Sequence, residues 1–92
     1  MEKFQSSIFG KKKWQPVEVE FSNGNLTIRT KSKKEEITNK QINGTEIMEE
    51  YQSKESVLKI ESFKKTIFLT SESDESVRKL HAALKSCIFW AF

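Results

Sequence analysis

The chain holds one cysteine, one proline, one histidine and three glycines in 92 residues, and each scarcity excludes something. Cys87 alone cannot form an internal disulfide or a Cys-rich metal site, and a reducing compartment fits best. No apolar run approaches the ~20 residues of a spanning helix, and the N-terminal stretch lacks the apolar centre of a signal peptide. The Asn-x-Thr triplets at Asn25 and Asn43 therefore read as turn sequences. His81, the lone histidine, has no Asp, Glu or Cys placed as a partner, so it reads as a boundary residue of a helix. The acidic pairs Glu35/Glu36 and Glu49/Glu50 are adjacent, and adjacent strand residues point to opposite faces, so neither makes an acid/base pair. Phosphate-cradling glycine loops, a nucleophile elbow and zinc spacing are all missing. The expectation is a non-enzymatic domain with no cofactor and no metal.

What is present is enough for one core. The residues are 36% hydrophobic and 32% charged, with seven phenylalanines and two tryptophans, the composition of a single globular domain over 1–92. Sixteen basic against thirteen acidic residues give a net charge of +3, a salted surface rather than a nucleic-acid arm. The positions of the lysines carry more information than their number.

Gly10 to Phe21 organises the chain. Three lysines, Lys11, Lys12 and Lys13, precede Trp14 and Pro16, and then Val17, Val19 and Phe21 alternate with Glu18 and Glu20. Period-two alternation means a strand with one wet and one buried face. A first short strand is expected from Phe4 to Phe9 and a second from Trp14 to Ser22. Asn23-Gly24 marks a tight hairpin into a third strand, Asn25 to Lys31. A fourth runs from Glu35 to about Lys40, and Asn43-Gly44 signals another turn. Glu46 to Tyr51 fits either a strand or a short helical turn. Ser56 to Phe63 and Thr66 to Thr70 read as strands joined at Lys64-Lys65. The period then changes: Ser73 is a good N-cap, Asp74 and Glu75 suit the first turn, and Val77, Leu80, Leu84, Cys87, Ile88 and Ala91 recur at helical spacing. In outline, about seven antiparallel strands within 4–71 precede one helix over about 73–90.

This order resembles the pleckstrin homology (PH) family. The resemblance rests on Trp14-Gln-Pro16 opening the second strand, Ser22-Asn-Gly24 at a hairpin, and Ile67-Phe-Leu-Thr-Ser-Glu-Ser-Asp-Glu75 leading into a closing helix. It implies a barrel of two near-orthogonal antiparallel sheets capped by the helix, with a ligand mouth formed by the loops after strands one, three and six. Where the family's phosphoinositide signature sets an arginine this chain has Val17, with Gln15 before it. Where the family's helix usually carries a tryptophan it has Leu80.

Two lysine clusters, Lys11, Lys12 and Lys13 and then Lys31, Lys33 and Lys34, fall in odd-numbered turns of a meander, which share one end. Lys64 and Lys65 join them if the resemblance holds. Glu35 and Glu36 stand beside this rim and subtract from it. The rim predicts binding of anionic lipid or phosphoinositide headgroups by a peripheral cytoplasmic module belonging to a larger signalling or cytoskeletal protein. The bland alternative is a set of solvated turn lysines. Trp14 could contact the bilayer interface or sit half buried under the first turn. Phe89, Trp90 and Phe92 could form a docking surface, which supports the alternative of a protein-interaction module with little lipid affinity. Nucleic acid is disfavoured, because no arginine patch or stacking platform accompanies the lysines.

Overall fold

A computed structural model describes the backbone of residues 1–6, 12–63 and 65–90, and the side chains of these except at 5, 6, 12 and 87–90. The strands are β1 (Glu2–Ser6), β2 (Lys12–Pro16), β3 (Glu18–Ser22), β4 (Asn25–Arg29), β5 (Lys34–Thr38), β6 (Ile42–Tyr51), β7 (Lys54–Ser62) and β8 (Thr66–Thr70). A 3-10 turn, Asn39–Gln41, joins β5 to β6, and the helix α1 spans Asp74–Trp90. Two antiparallel sheets result, one ordered β2-β1-β8-β7-β6 and the other β3-β4-β5. The expected class, mainly β with one C-terminal helix, is what the chain adopts, and the arrangement fits a PH-like barrel.

The expected second strand is divided. Pro16 has no N–H to continue a ladder, and Val17 belongs to neither strand. Its N–H instead donates to the carbonyl oxygen of Met1 at 2.8 Å. The chain thus leaves one sheet at Pro16 and enters the other at Glu18, with Val17 buried at the corner. The hairpin after β3 follows the sequence signal. Asn23 (φ 53°) and Gly24 (φ 77°) both take the left-handed region that a two-residue turn of this hand requires. Asn43-Gly44 is not a turn. Both residues lie inside β6, and the register against β7 shifts between Ile42 and Gly44. An Asn-Gly pair also suits a bulge, and local sequence does not separate the two.

The segment left between strand and helical turn is the end of β6. Its hairpin into β7 turns at Gln52 (φ 48°) and Ser53 (φ 69°), which reach the left-handed region without glycine. Ser56 (φ 54°) bends β7 again three residues on. On the face of the large sheet away from the core, Tyr51 stacks on Phe68 with ring centroids 4.1 Å apart. Phe4 packs edge-on against Tyr51 and tilted against Trp14, which lies opposite it in register. Half-buried aromatics from β1, β2, β6 and β8 therefore form a second apolar cluster.

The main core lies between the sheets. Leu26 and Ile28 of β4, Ile37 of β5, Leu58 and Ile60 of β7, and Ile67 and Leu69 of β8 meet Val77 and Leu84 of α1. The Ser73 hydroxyl accepts from the Ser76 N–H at 3.3 Å, the expected N-cap. Asp74–Arg78 (2.7 Å) and Glu75–Lys79 (3.0 Å) add i,i+4 pairs along the wet side. The helix touches β6, β7 and β3, members of both sheets, and so closes the space between them.

Candidate functional site

The lysine-bearing turns owe their shape to hydroxyl side chains. In the β4–β5 connection the Thr30 N–H donates to the Lys33 carbonyl at 2.8 Å, and the Lys33 N–H donates back to Thr30 Oγ1 at 3.0 Å. The β7–β8 connection repeats the motif. The Ser62 N–H and hydroxyl both donate to the Lys65 carbonyl, at 2.9 and 2.8 Å, and the Lys65 N–H returns to Ser62 Oγ at 3.4 Å. A hydroxyl residue three positions before a lysine thus fixes each turn. The same spacing sets Lys33 and Lys65 at equivalent ends of the two connections.

These two turns meet. Lys33, Lys34 and Lys65 line one open cleft together with Thr30, Ile28, Glu35 and Lys3. Lys3 was not expected there. It lies on β1, and its side chain is 14% exposed. Its ammonium donates to Glu35 Oε1 at 2.9 Å, while Lys65 pairs with Glu35 Oε2. Burial lowers the pKa of Lys3. Burial, followed by the charges of Lys3 and Lys33, lowers that of Lys65. Lys34 turns to Glu36 at 3.2 Å. Among the described residues no acid lies within salt-bridge distance of Lys31 or Lys33.

The remaining expected residues fall as follows. Lys12 and Lys13 are in β2 rather than in the preceding turn, because the β1 ladder continues to the Ser6–Lys12 pair. Lys34 likewise opens β5 instead of belonging to the turn before it. Lys13 is exposed, and register places it on the face of the sheet that carries Lys3: Lys3 pairs with Gln15, and Lys13 lies two residues from Gln15. β1 runs antiparallel to β8, so its Ser6 end points toward the Lys65 end of the sheet. Lys31 is exposed at the tip of its turn. Lys11, Lys64 and Phe92 lie outside the described residues, as do the side chains of Lys12, Phe89 and Trp90. Trp14 is half buried, and its Nε1–H donates to the Gln52 carbonyl oxygen at 3.0 Å.

Two residues escaped the sequence reading. Lys3 stands in a short strand without alternation, so no pattern assigns it a face. Phe63 is 74% exposed, beside the cleft's Lys65 turn. It does carry a signal: it shares the strand parity of Lys59 and Glu61, opposite that of the buried Leu58 and Ile60.

The described residues hold no group of three His, Cys, Asp or Glu side chains that could bind a metal ion. His81 is half buried, and burial, followed by the charges of Lys85 and Arg78, lowers its pKa, leaving a neutral ring at pH 7. Among the described residues no helix is long and apolar enough to cross a membrane. Comparison with protein-family models, with curated proteins and with solved structures finds no match to this chain.

Proposed function

We propose that this domain is a PH-like recruitment module that binds anionic lipid headgroups, phosphoinositides among them, at the cytoplasmic face of a membrane. One observation carries the reading: β1, the β4–β5 turn, the first residue of β5 and the β7–β8 turn deliver Lys3, Lys33, Lys34 and Lys65 to a single cleft. Lysines facing an anionic bilayer contribute ~1 kcal/mol each; with Lys34 paired to Glu36 and Glu35 offsetting one of the other three, the excess of two supplies roughly 2 kcal/mol, a weak recruitment that salt screens. Lysine acts as a point charge, and with Val17 at the arginine position of the family signature the cleft has no guanidinium fork to select one headgroup. The exposed Phe63 next to the same turn gives the rim an apolar point of contact.

The test is co-sedimentation with phosphatidylcholine vesicles, alone and with phosphatidylserine or a phosphoinositide, at low and raised salt. Anionic vesicles should pull the protein down and salt should release it. The double variant Lys33→Ala/Lys65→Ala should reduce binding without lowering the thermal midpoint by more than a few degrees. Equal partitioning to neutral and anionic vesicles would end the lipid reading and leave the protein-interaction one.

A further inference from the structure

Glu35 occupies an unusual place. It alternates with Glu36 along β5, and it shares parity with Ile37, which is buried in the core. Its partner in register is Ile28, also buried. The carboxylate therefore sits on the core-facing row at the mouth of the barrel, 28% exposed, rather than on the wet side with Glu36. A carboxylate in that row needs cations, and Lys3 and Lys65 each hold one of its oxygens.

The charges do not balance. Among the described residues, Lys3, Lys33 and Lys65 bring three positive charges to one carboxylate, with Lys34 diverted to Glu36. Two uncompensated charges in an open cleft, with only Lys3 and Glu35 of its charged residues partly buried, favour an anion that carries more than one charge and more than two acceptor oxygens. A phosphomonoester has both properties and can bridge two ammonium groups as the carboxylate does. Glu35 also lines a second open groove with Glu36, Ile37, Gln41, Ser62, Phe63 and Lys65, so the side chain has somewhere to go.

Building on the lipid-binding reading, we infer that Glu35 is an internal counter-anion. It holds the seat between Lys3 and Lys65 that a phosphomonoester dianion takes by displacing it. Glu35 then sets which anions bind. A singly charged headgroup gains little over the resident carboxylate, whereas a dianion gains from the cationic excess. The phosphate can belong to a lipid or to a free inositol phosphate.

The experiment compares wild type with Glu35→Gln using three probes: soluble inositol 1,4,5-trisphosphate, phosphatidylserine vesicles and phosphatidylinositol 4-phosphate vesicles. Glutamine keeps the shape and removes the charge. The variant should bind the trisphosphate and the phosphoinositide vesicles roughly tenfold more tightly, an effect between those of a like charge about 4 Å away in bulk water and near a protein surface. Phosphatidylserine vesicles should gain much less. A gain on the trisphosphate without one on phosphoinositide vesicles supports the seat and identifies a free phosphate as its ligand. Equal gains on all three would mean that only net charge had changed, and would overturn the proposal. Unchanged binding to all three by a variant whose wild type binds anionic vesicles overturns the role of Glu35 and leaves membrane recruitment standing. Absence of any binding by the wild type defeats both. If Glu35→Gln does not fold, the wild type decides by NMR. Trisphosphate should shift the Glu35 carboxyl carbon and the Lys3 and Lys65 ε-methylenes together, and their failure to move at saturation would refute the seat.

Discussion

Trp14 donates its indole N–H to the carbonyl oxygen of Gln52 at 3.0 Å, across 38 positions of sequence. The bond ties β2 to the tip of the β6–β7 hairpin. The same indole packs against Phe4 at a centroid distance of 5.3 Å. A hydrogen bond of this kind is worth about 1 kcal/mol net. Trp14→Phe, which keeps a ring and loses the donor, should lower unfolding free energy by about that amount in urea titrations. Because the ring is engaged within the fold, the variant should leave vesicle partitioning unchanged; a marked fall would give Trp14 the interfacial role.

Phe63 makes the opposite case. Its ring is exposed at a turn whose backbone is fixed by Ser62, and its own N–H donates to the Gln41 carbonyl at 3.2 Å. Phe63→Ala should therefore leave the thermal midpoint unchanged within about 2 °C. Affinity for anionic vesicles should fall roughly tenfold, as expected if part of the ~1.5–3 kcal/mol of full ring burial is lost. The measurement is vesicle titration followed by tryptophan fluorescence.

Leu84 is fully buried where α1 meets the core. Leu84→Ala should cost about 2–5 kcal/mol, a transfer loss plus a cavity, read as a lower denaturation midpoint with little change in slope. Ser73→Ala removes the N-cap of the same helix and should cost about 1 kcal/mol.

Asp74 has its pKa lowered by a hydrogen bond from Ser56 and then by Arg78. A carboxylate whose folded pKa is depressed adds stability above its unfolded pKa, and that stability is lost as pH falls through the folded value. Its window accordingly lies below about pH 4, and nothing it does should alter stability between pH 5 and 8. Carbon-detected NMR titration should place Asp74 below ordinary aspartates. Ser56→Ala should move it back toward them.

Much of this architecture was readable from residue patterns, and the exceptions have specific causes. β8 and α1 follow the sequence closely, since Thr66–Thr70 is a continuous β-prone run and Ser73 caps a clean helical stripe. The Asn23-Gly24 hairpin was equally plain. Misplacing a turn at Asn43-Gly44 came from a dipeptide that serves bulges as well as hairpins. The real reversal, at Gln52-Ser53, uses left-handed residues that carry no glycine signal. The site was half visible: lysine-rich turns announced Lys33, Lys34 and Lys65, whereas Lys3 and the inward seat of Glu35 depend on pairings between strands far apart in sequence. Adjacent Glu35 and Glu36 looked alike as a local pair, and only the register separates their roles.

The corner at Val17 links all of this. A single continuous segment supplies an edge strand to each sheet, and its hinge residue is bonded back to the first residue of the chain. Neither layer can come apart while the other stays whole, because the same few peptide units would have to be in both conditions at once. The molecule should lose its structure in one step, with the basic mouth and the helix vanishing at the same denaturant concentration.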